Sequence, residues 1–415
     1  MDIEPNAFFW IILAAVLGAY LLDLIAERLN LRALNPKLPA EFAGVFDADD
    51  YAKSQRYTRE GARFGLIEST FSLALFLGFW LLGGFPWLDG LVGKLGWGPV
   101  ASGLVFMAVL YLANFALHLP FTIYDTFVIE EKFGFNRTTR KTFAADQVKG
   151  LLLAAVFGLP IVALLLWLFG TFPNAWLWGW IAVAAYSLVV AYLGPRLILP
   201  LFNKFEPLAD GELKDGIHAM ADKCGFPLRE VSVMDGSKRS SKSNAFFTGF
   251  GKNKKIALFD TLVDRHTAPE LIAVLAHEIG HFKKRHIVQG MVIGILQAGV
   301  LFYLLSLFLE NESLSAAFGV APPKVYLSFI FFGLLYKPVS LVLGIALSAL
   351  SRKNEFEADA YAAQVTGDPG SMVDALKKLS KDNLANLTPH PFYVFLNYSH
   401  PPMLERIAAL RKAAA

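Results

Sequence analysis

Seven stretches of the chain are each long and apolar enough to cross a lipid bilayer as a helix: 7–24, 65–82, 99–121, 150–169, 176–199, 287–309 and 325–350. About 20 mostly apolar residues suffice for a span, and seven such runs cannot all be hidden inside soluble cores. Of 415 residues, 55% are apolar and only 18% charged, against roughly 25% charged in ordinary soluble proteins. These numbers exclude a disordered or collagen-like chain and predict a mainly α, polytopic membrane protein. The formal charge of +3 is too balanced to imply a nucleic-acid partner. Cys224 is the only cysteine. An internal disulfide and a multi-cysteine zinc site are therefore excluded, and any metal must be held by His and carboxylates.

The first run reads as a retained span, because Asp2 and Glu4 stand where a secretory leader would be basic. Trp10, Tyr20, Trp87, Trp97, Trp176 and Trp178 lie near span ends, as interfacial anchors do. Basic residues crowd alternate loops. Arg28, Arg32, Lys37, Lys53, Arg56, Arg59 and Arg63 follow span one, whereas the next loop has only Lys94. Lys132, Arg137, Arg140, Lys141 and Lys149 follow span three, and none occurs in 170–175. The positive-inside rule then places the N-terminus outside and the long loops and C-terminus in the cytosol. This divides the chain into five spans with their loops (1–200), a cytosolic catalytic segment (201–286), spans six and seven (287–350) and a cytosolic C-terminal segment (351–415). Short β-like stretches are expected at 230–235, 245–249 and 256–260, with turns at 236–242 and 251–254. Pro269 opens a helix with an acidic first turn and a basic end.

That helix contains His277-Glu278-Ile279-Gly280-His281. Two His four residues apart share one helical face, so both imidazoles can reach one tetrahedral Zn2+, one ion per chain. Glu278 is rotated off that face toward a water at the metal. A catalytic site of this kind needs a third ligand. The segment Glu355-Phe356-Glu357-Ala358-Asp359 offers one, with Glu355 and Asp359 on one face. Spacing does not choose between Glu355 and Glu357, and His266 and His286 leave a three-His site open. Asn114 and His118 in span three, and Lys337 beside Pro338 in span seven, are polar groups suited to a wet interior.

The whole chain resembles the type I CAAX prenyl proteases, integral-membrane zinc endopeptidases. The resemblance rests on Tyr124–Glu131 with Gly134-Phe135-Asn136, on Ser243-Asn244-Ala245-Phe246-Phe247-Thr248-Gly249, and on the His277–His281 motif. Glu355–Ala360 and Tyr398-Ser399-His400-Pro401-Pro402 with Leu404-Glu405-Arg406-Ile407 complete it. It implies Glu355 as third ligand with Asp359 in support, and spans enclosing a large water-filled chamber beside a zincin-type domain with a small β element. It further implies an edge strand at Asn244, Ala245 and Phe246 that takes the peptide, and His400 and Arg406 close to the scissile bond. The implied partners are peptide or protein substrates prenylated at the C-terminus, from which a terminal tripeptide is removed, together with membrane lipids. Short loops and the alanine end, without an endoplasmic-reticulum retrieval signal, read as a bacterial cytoplasmic-membrane member. The alternative within enzymes is a heat-shock-type quality-control protease, but those chains are shorter and lack the His-Pro-Pro signature. A seven-helix transporter or receptor would not need the metal motif.

Overall fold

A computed structural model describes residues 3–248 and 254–414. Gly249, the last residue of the strand motif, and most of the turn expected at 251–254 lie outside the described residues. The chain opens with α1 (Ala7–Ala33) and α2 (Ala48–Leu81), each running well past its apolar stretch. A short helix, α3 (Gly84–Gly93), leads to α4 (Pro99–Tyr124), which continues through a widened π turn at Asp125–Glu130. α5 (Arg140–Leu153) and α6 (Leu159–Thr171) form one rod through a second π turn. α7 (Ala175–Leu193) likewise continues through a π turn at Gly194–Ile198 into α8 (Leu199–Phe202). Much of what the sequence reads as loop at 25–64 and 122–149 is thus helix extending beyond the spans.

A small α/β unit follows. It comprises β1 (Phe205–Pro207), α9 (Glu212–Lys223), β2 (Leu228–Met234), β3 (Ala245–Thr248), β4 (Lys254–Phe259), α10 (Asp260–Val263) and α11 (Ala268–Lys283). The sheet order is β1-β2-β4-β3. β2 and β4 are parallel, the other pairs antiparallel, and β3 pairs only with β4 among the described residues, so it is an edge. β1 carries no alternation and escapes a reading of pattern. The chain then re-enters the bundle with α12 (His286–Ser306), α13 (Glu312–Ala316), α14 (Val325–Leu335) and α15 (Lys337–Thr366), and ends with α16 (Pro369–Asp382), α17 (Pro391–Asn397) and α18 (Met403–Ala414).

Six helices of the described residues are long and apolar enough to cross a membrane alone. The seventh expected span is a bent pair, α14 and α15, inclined by 54°. Pro338 explains the break: it has no N–H to donate and its ring clashes with the preceding turn. At the end of the bundle remote from the sheet, Trp80, Phe85, Phe318 and Phe331 pack into an aromatic plug. Trp80 Nε1 donates to Ala317 O at 2.9 Å, and Asp89 accepts from Lys324 Nζ at 2.6 Å. Between this plug and the sheet, α1 and α2 border two adjoining cavities of about 560 and 580 Å³. His118 and Lys337 line the second, as their polarity within spans suggested.

Candidate metal centre

α11 is fixed before any metal is considered. Thr267 and Glu270 form a reciprocal capping box that satisfies the first-turn donors. Leu271, Leu275 and Ile279 pack with Ile217 of α9 and with Ile256 and Leu258 of the sheet. On its other side, Ala273 meets Met372, Leu376, Ile407 and Leu410 of α16 and α18. Burial on both sides leaves His277, Glu278 and His281 no freedom to rotate away from α15.

α15 approaches unusually closely because of Gly280. A Cβ there would stand 3.1 Å from Ala358 Cα and 3.2 Å from Ala358 O. The near contact brings the i, i+4 carboxylates of α15 onto the i, i+4 imidazoles of α11. His277 Nε2 and His281 Nε2 face each other at 3.1 Å. Glu355 Oε2 is 3.5 Å from His277 Nε2, and Glu355 Oε1 is 3.3 Å from His281 Nε2. These three donors lie within 4.8 Å of one another. Glu357 does not join them; its Oε2 meets His286 Nε2 at 3.3 Å.

The surrounding bonds set the tautomers. His277 Nδ1 donates to Asp359 Oδ1 at 2.8 Å. His281 Nδ1 lies 3.0 Å from His286 Nδ1, and His286 is held in turn by Glu357. One consistent set has His281 donating to His286 and His286 donating to Glu357, which leaves both Nε2 lone pairs aimed at a shared point. Glu355 Oε2 is buried there and accepts no hydrogen bond. Two imidazole lone pairs and a carboxylate oxygen that accepts no hydrogen bond are a donor set for a divalent cation, since no single proton can serve all three. The residues fit a metal. His266, the other histidine left open by spacing, turns its Nδ1 to Leu262 O at 3.2 Å.

The electrostatics agree. Burial alone would raise the Glu355 carboxyl, yet His277, His281 and Arg406 hold it well below the usual carboxylate range. Burial opposes charge on His277, but Asp359 and Glu355 outweigh it and lift its pKa to about 9 without an ion. Burial pushes the Glu278 carboxyl up, against a smaller pull from His277 and His281.

The C-terminal signature divides in space. His400 is 61% exposed, with Nε2 3.5 Å from Glu355 Oε1. Partial desolvation by its neighbours lowers its pKa against the pull of Glu355. Arg406 is 5% exposed. Its Nε and Nη2 donate to the two Asp359 oxygens at 2.7 and 2.6 Å, and Nη1 lies 3.2 Å from Glu355 Oε2. These bonds place Arg406 beside the site, with its fork committed to Asp359 and Glu355. Arg352, which sequence reading passed over, donates from Nη1 to Tyr398 O at 2.5 Å and Val394 O at 3.3 Å, fixing the turn that carries His400. Nothing in a linear pattern links positions 352 and 398.

Asn244 and Ala245 begin the edge strand. Asn244 O accepts from Phe259 N at 3.1 Å, and Ala245 is buried in the cluster that includes Val274 and Leu275 of α11. Phe246 pairs with Ala257. The approach to β3 is tied to the membrane helices: Lys242 Nζ donates to Glu130 Oε2 at 2.8 Å and Tyr57 Oη at 2.9 Å.

Residues 27–204 match the family model described as CAAX prenyl protease N-terminal, five membrane helices, and residues 207–414 match peptidase family M48. CAAX prenyl protease 1 homolog of Mus musculus is 35% identical over 91% of this chain and 89% of its own length. CAAX prenyl protease 1 of Saccharomyces cerevisiae is 36% identical over 90% of this chain and 88% of its own. The crystal structure of S. mikatae Ste24p superposes with a TM-score of 0.93 at 34% identity, covering 98% of this chain and 100% of that one. With its fold, its convergent donors and these relatives in agreement, the chain belongs to the type I CAAX prenyl protease family within the M48 peptidases and is a multi-pass membrane metalloprotease.

Proposed function

We propose that this protein is a zinc endopeptidase that removes the terminal tripeptide from prenylated, CAAX-type C-termini or related membrane-associated peptides, working from the cytosolic side of its membrane. The observation that carries the reading is the convergence of His277, His281 and Glu355 on one point beside Glu278, within a membrane bundle. His and carboxylate donors without cysteine suit Zn2+ with an open fourth position. His277, His281 and Glu355 would hold the ion, with Asp359 and Arg406 orienting them from behind. When bound, the ion supplies Lewis acidity for a peptide carbonyl and for a water.

The protein groups do the rest. Glu278, with a carboxyl raised by burial, takes the proton of the attacking water and returns it to the leaving amine. His400 stays neutral near pH 7 because desolvation lowers its pKa. Its Nδ1 lies 2.9 Å from Ser399 Oγ; with that hydroxyl donating, Nε2 carries the proton. His400 then donates to the oxyanion as the carbonyl becomes tetrahedral. The free edge of β3 accepts the peptide as an added strand at Asn244, Ala245 and Phe246, through main-chain bonds with little demand on side chains. A lipid anchor on the substrate raises its concentration at the membrane, at about 0.8 kcal/mol per buried CH2. The alternation of basic loops supports the cytosolic placement, and the short loops support a bacterial cytoplasmic membrane.

The test is mass mapping of products from a farnesylated CAAX peptide and its unlipidated counterpart, in detergent. Release of the terminal tripeptide, faster from the lipidated form, supports the reading. Cleavage of unlipidated membrane peptides alone would move the substrate class toward quality control.

A further inference from the structure

Arg352 is engaged on one side only. It stands three residues before Glu355 on α15, on the same helical face and roughly 4.5 Å along the axis toward the membrane bundle. Its Nη1 is committed to Tyr398 O at 2.5 Å and Val394 O at 3.3 Å. Among the described residues, Nε and Nη2 find no hydrogen-bond partner and no carboxylate pairs with the guanidinium. The side chain is half-buried, and neither nitrogen is among the buried atoms left without a partner, so this edge opens to solvent. Other cations near the site are matched: Arg406 by Asp359 and Glu355, Lys353 by Glu357 and Lys242 by Glu130.

The open edge has a definite chemistry. Nε–H and the adjacent Nη2–H lie side by side, at the spacing of two carboxylate oxygens. Arg406 presents the same two nitrogens to Asp359, at 2.7 and 2.6 Å. Because the Tyr398 and Val394 carbonyls fix Nη1, the edge of Arg352 is oriented before any ligand arrives.

Its distance from the metal donors follows from the chain. Tyr398 is two residues from His400, which span at most about 7 Å, and His400 Nε2 lies 3.5 Å from Glu355 Oε1. The open edge is therefore on the order of 10 Å from the donors. Three extended residues beyond a cut bond reach roughly 10 Å as well. Removing a fixed number of residues also requires recognition of the chain end. Main-chain bonds to β3 cannot supply it, since they are alike at every residue. The chemical mark of the end is its carboxylate.

We infer that Arg352 binds the terminal carboxylate of the substrate through Nε and Nη2, and so sets the cut three residues before it. This role rests on the tripeptide reading above and adds to the part Arg352 plays in holding the His400 turn.

The experiment gives the full chain, in detergent with zinc, two farnesylated peptides that differ only in a free acid or an amide at the C-terminus. Tripeptide release is read as kcat/KM. Wild type should favour the acid by about 10- to 100-fold, as a paired charge-assisted contact provides. Arg352→Gln should bring the acid-to-amide ratio close to one while still cutting the amide, which also shows that it is folded. Arg352→Lys, a point charge without the fork, should keep part of the preference. Lys284→Gln, an exposed cation after α11, should keep all of it. An equal fall on both peptides in Arg352→Gln, with the ratio unchanged, would confine Arg352 to the turn and overturn the carboxylate role. A wild type that cuts acid and amide alike would overturn it too. Binding of the labelled peptides to Glu278→Gln, followed by fluorescence anisotropy, needs no cleavage. If no tripeptide is released but the acid binds more tightly through Arg352, the tripeptide reading fails and the carboxylate site stands. Equal binding of acid and amide overturns the site.

Discussion

At the residue scale, the assignments separate by what each loss does to the metal and to turnover. Glu278→Gln removes the base but no ligand, so kcat should fall by about 10² to 10⁴-fold with the metal retained, as elemental analysis will show. His286→Ala leaves His281 Nδ1 without its partner. Metal affinity should drop about 10- to 100-fold, measured by chelator competition. Arg352→Gln should act differently, lowering kcat while metal content stays whole, because it frees the His400 turn and touches no ligand. Metal uptake also carries a pH signature. The metal-free site holds a proton on His277 up to about pH 9, and that proton must leave when an ion enters. Apparent affinity should therefore fall about tenfold for each pH unit below that value, until other groups titrate. An affinity flat between pH 6 and 8 would contradict the His277 assignment.

Among elements, the α11–α15 crossing decides whether the site exists. Gly280→Ala places a methyl 3.1 Å from the Ala358 backbone, and backbone yields less readily than a side-chain tip. Overpacking of this kind costs about 1–3 kcal/mol and pushes Glu355 away from the imidazoles, so both the melting temperature and metal affinity should fall together. The sequence shows each half of this crossing. The i, i+4 spacings at 277/281 and 355/359 put each pair on one face, and Pro269 and Glu270 mark the start of α11. It does not show that the two faces meet, because that depends on contacts 74 residues or more apart in sequence and on a glycine whose purpose is visible only in space. For the same reason spacing left Glu355 and Glu357 equivalent. Arg285, in the left-handed region at φ 60°, turns the chain so that His286 returns to His281, a break that hydropathy does not register. The bend at Tyr336 was equally hidden within one apolar run, although Pro338 was its available signal.

For the whole molecule, the membrane helices and the metal domain form one device. Lys242, just before β3, holds Glu130 and Tyr57 from the membrane helices, and Arg239 clasps Asp146 at 2.7 and 2.9 Å. Lys242→Met would leave Glu130 half-buried with one partner. With solvent screening, the cost should be about 1 kcal/mol, seen chiefly as a raised KM, since the metal ligands are untouched. Hydropathy made the six candidate spans and the bent α14–α15 pair legible, and the motifs made the donors legible. The aromatic plug and the ties to β3 were not, because they join residues whose only common property is their position after folding. The device depends on whether His277, His281 and Glu355 hold the metal that Glu278 works beside. That is tested most directly by zinc stoichiometry and tripeptide release measured together on wild type, Glu278→Gln and Glu355→Gln. The expected results are one zinc with cleavage, one zinc without cleavage, and neither, respectively. Full cleavage by Glu278→Gln, or undiminished zinc in Glu355→Gln, would contradict this assignment.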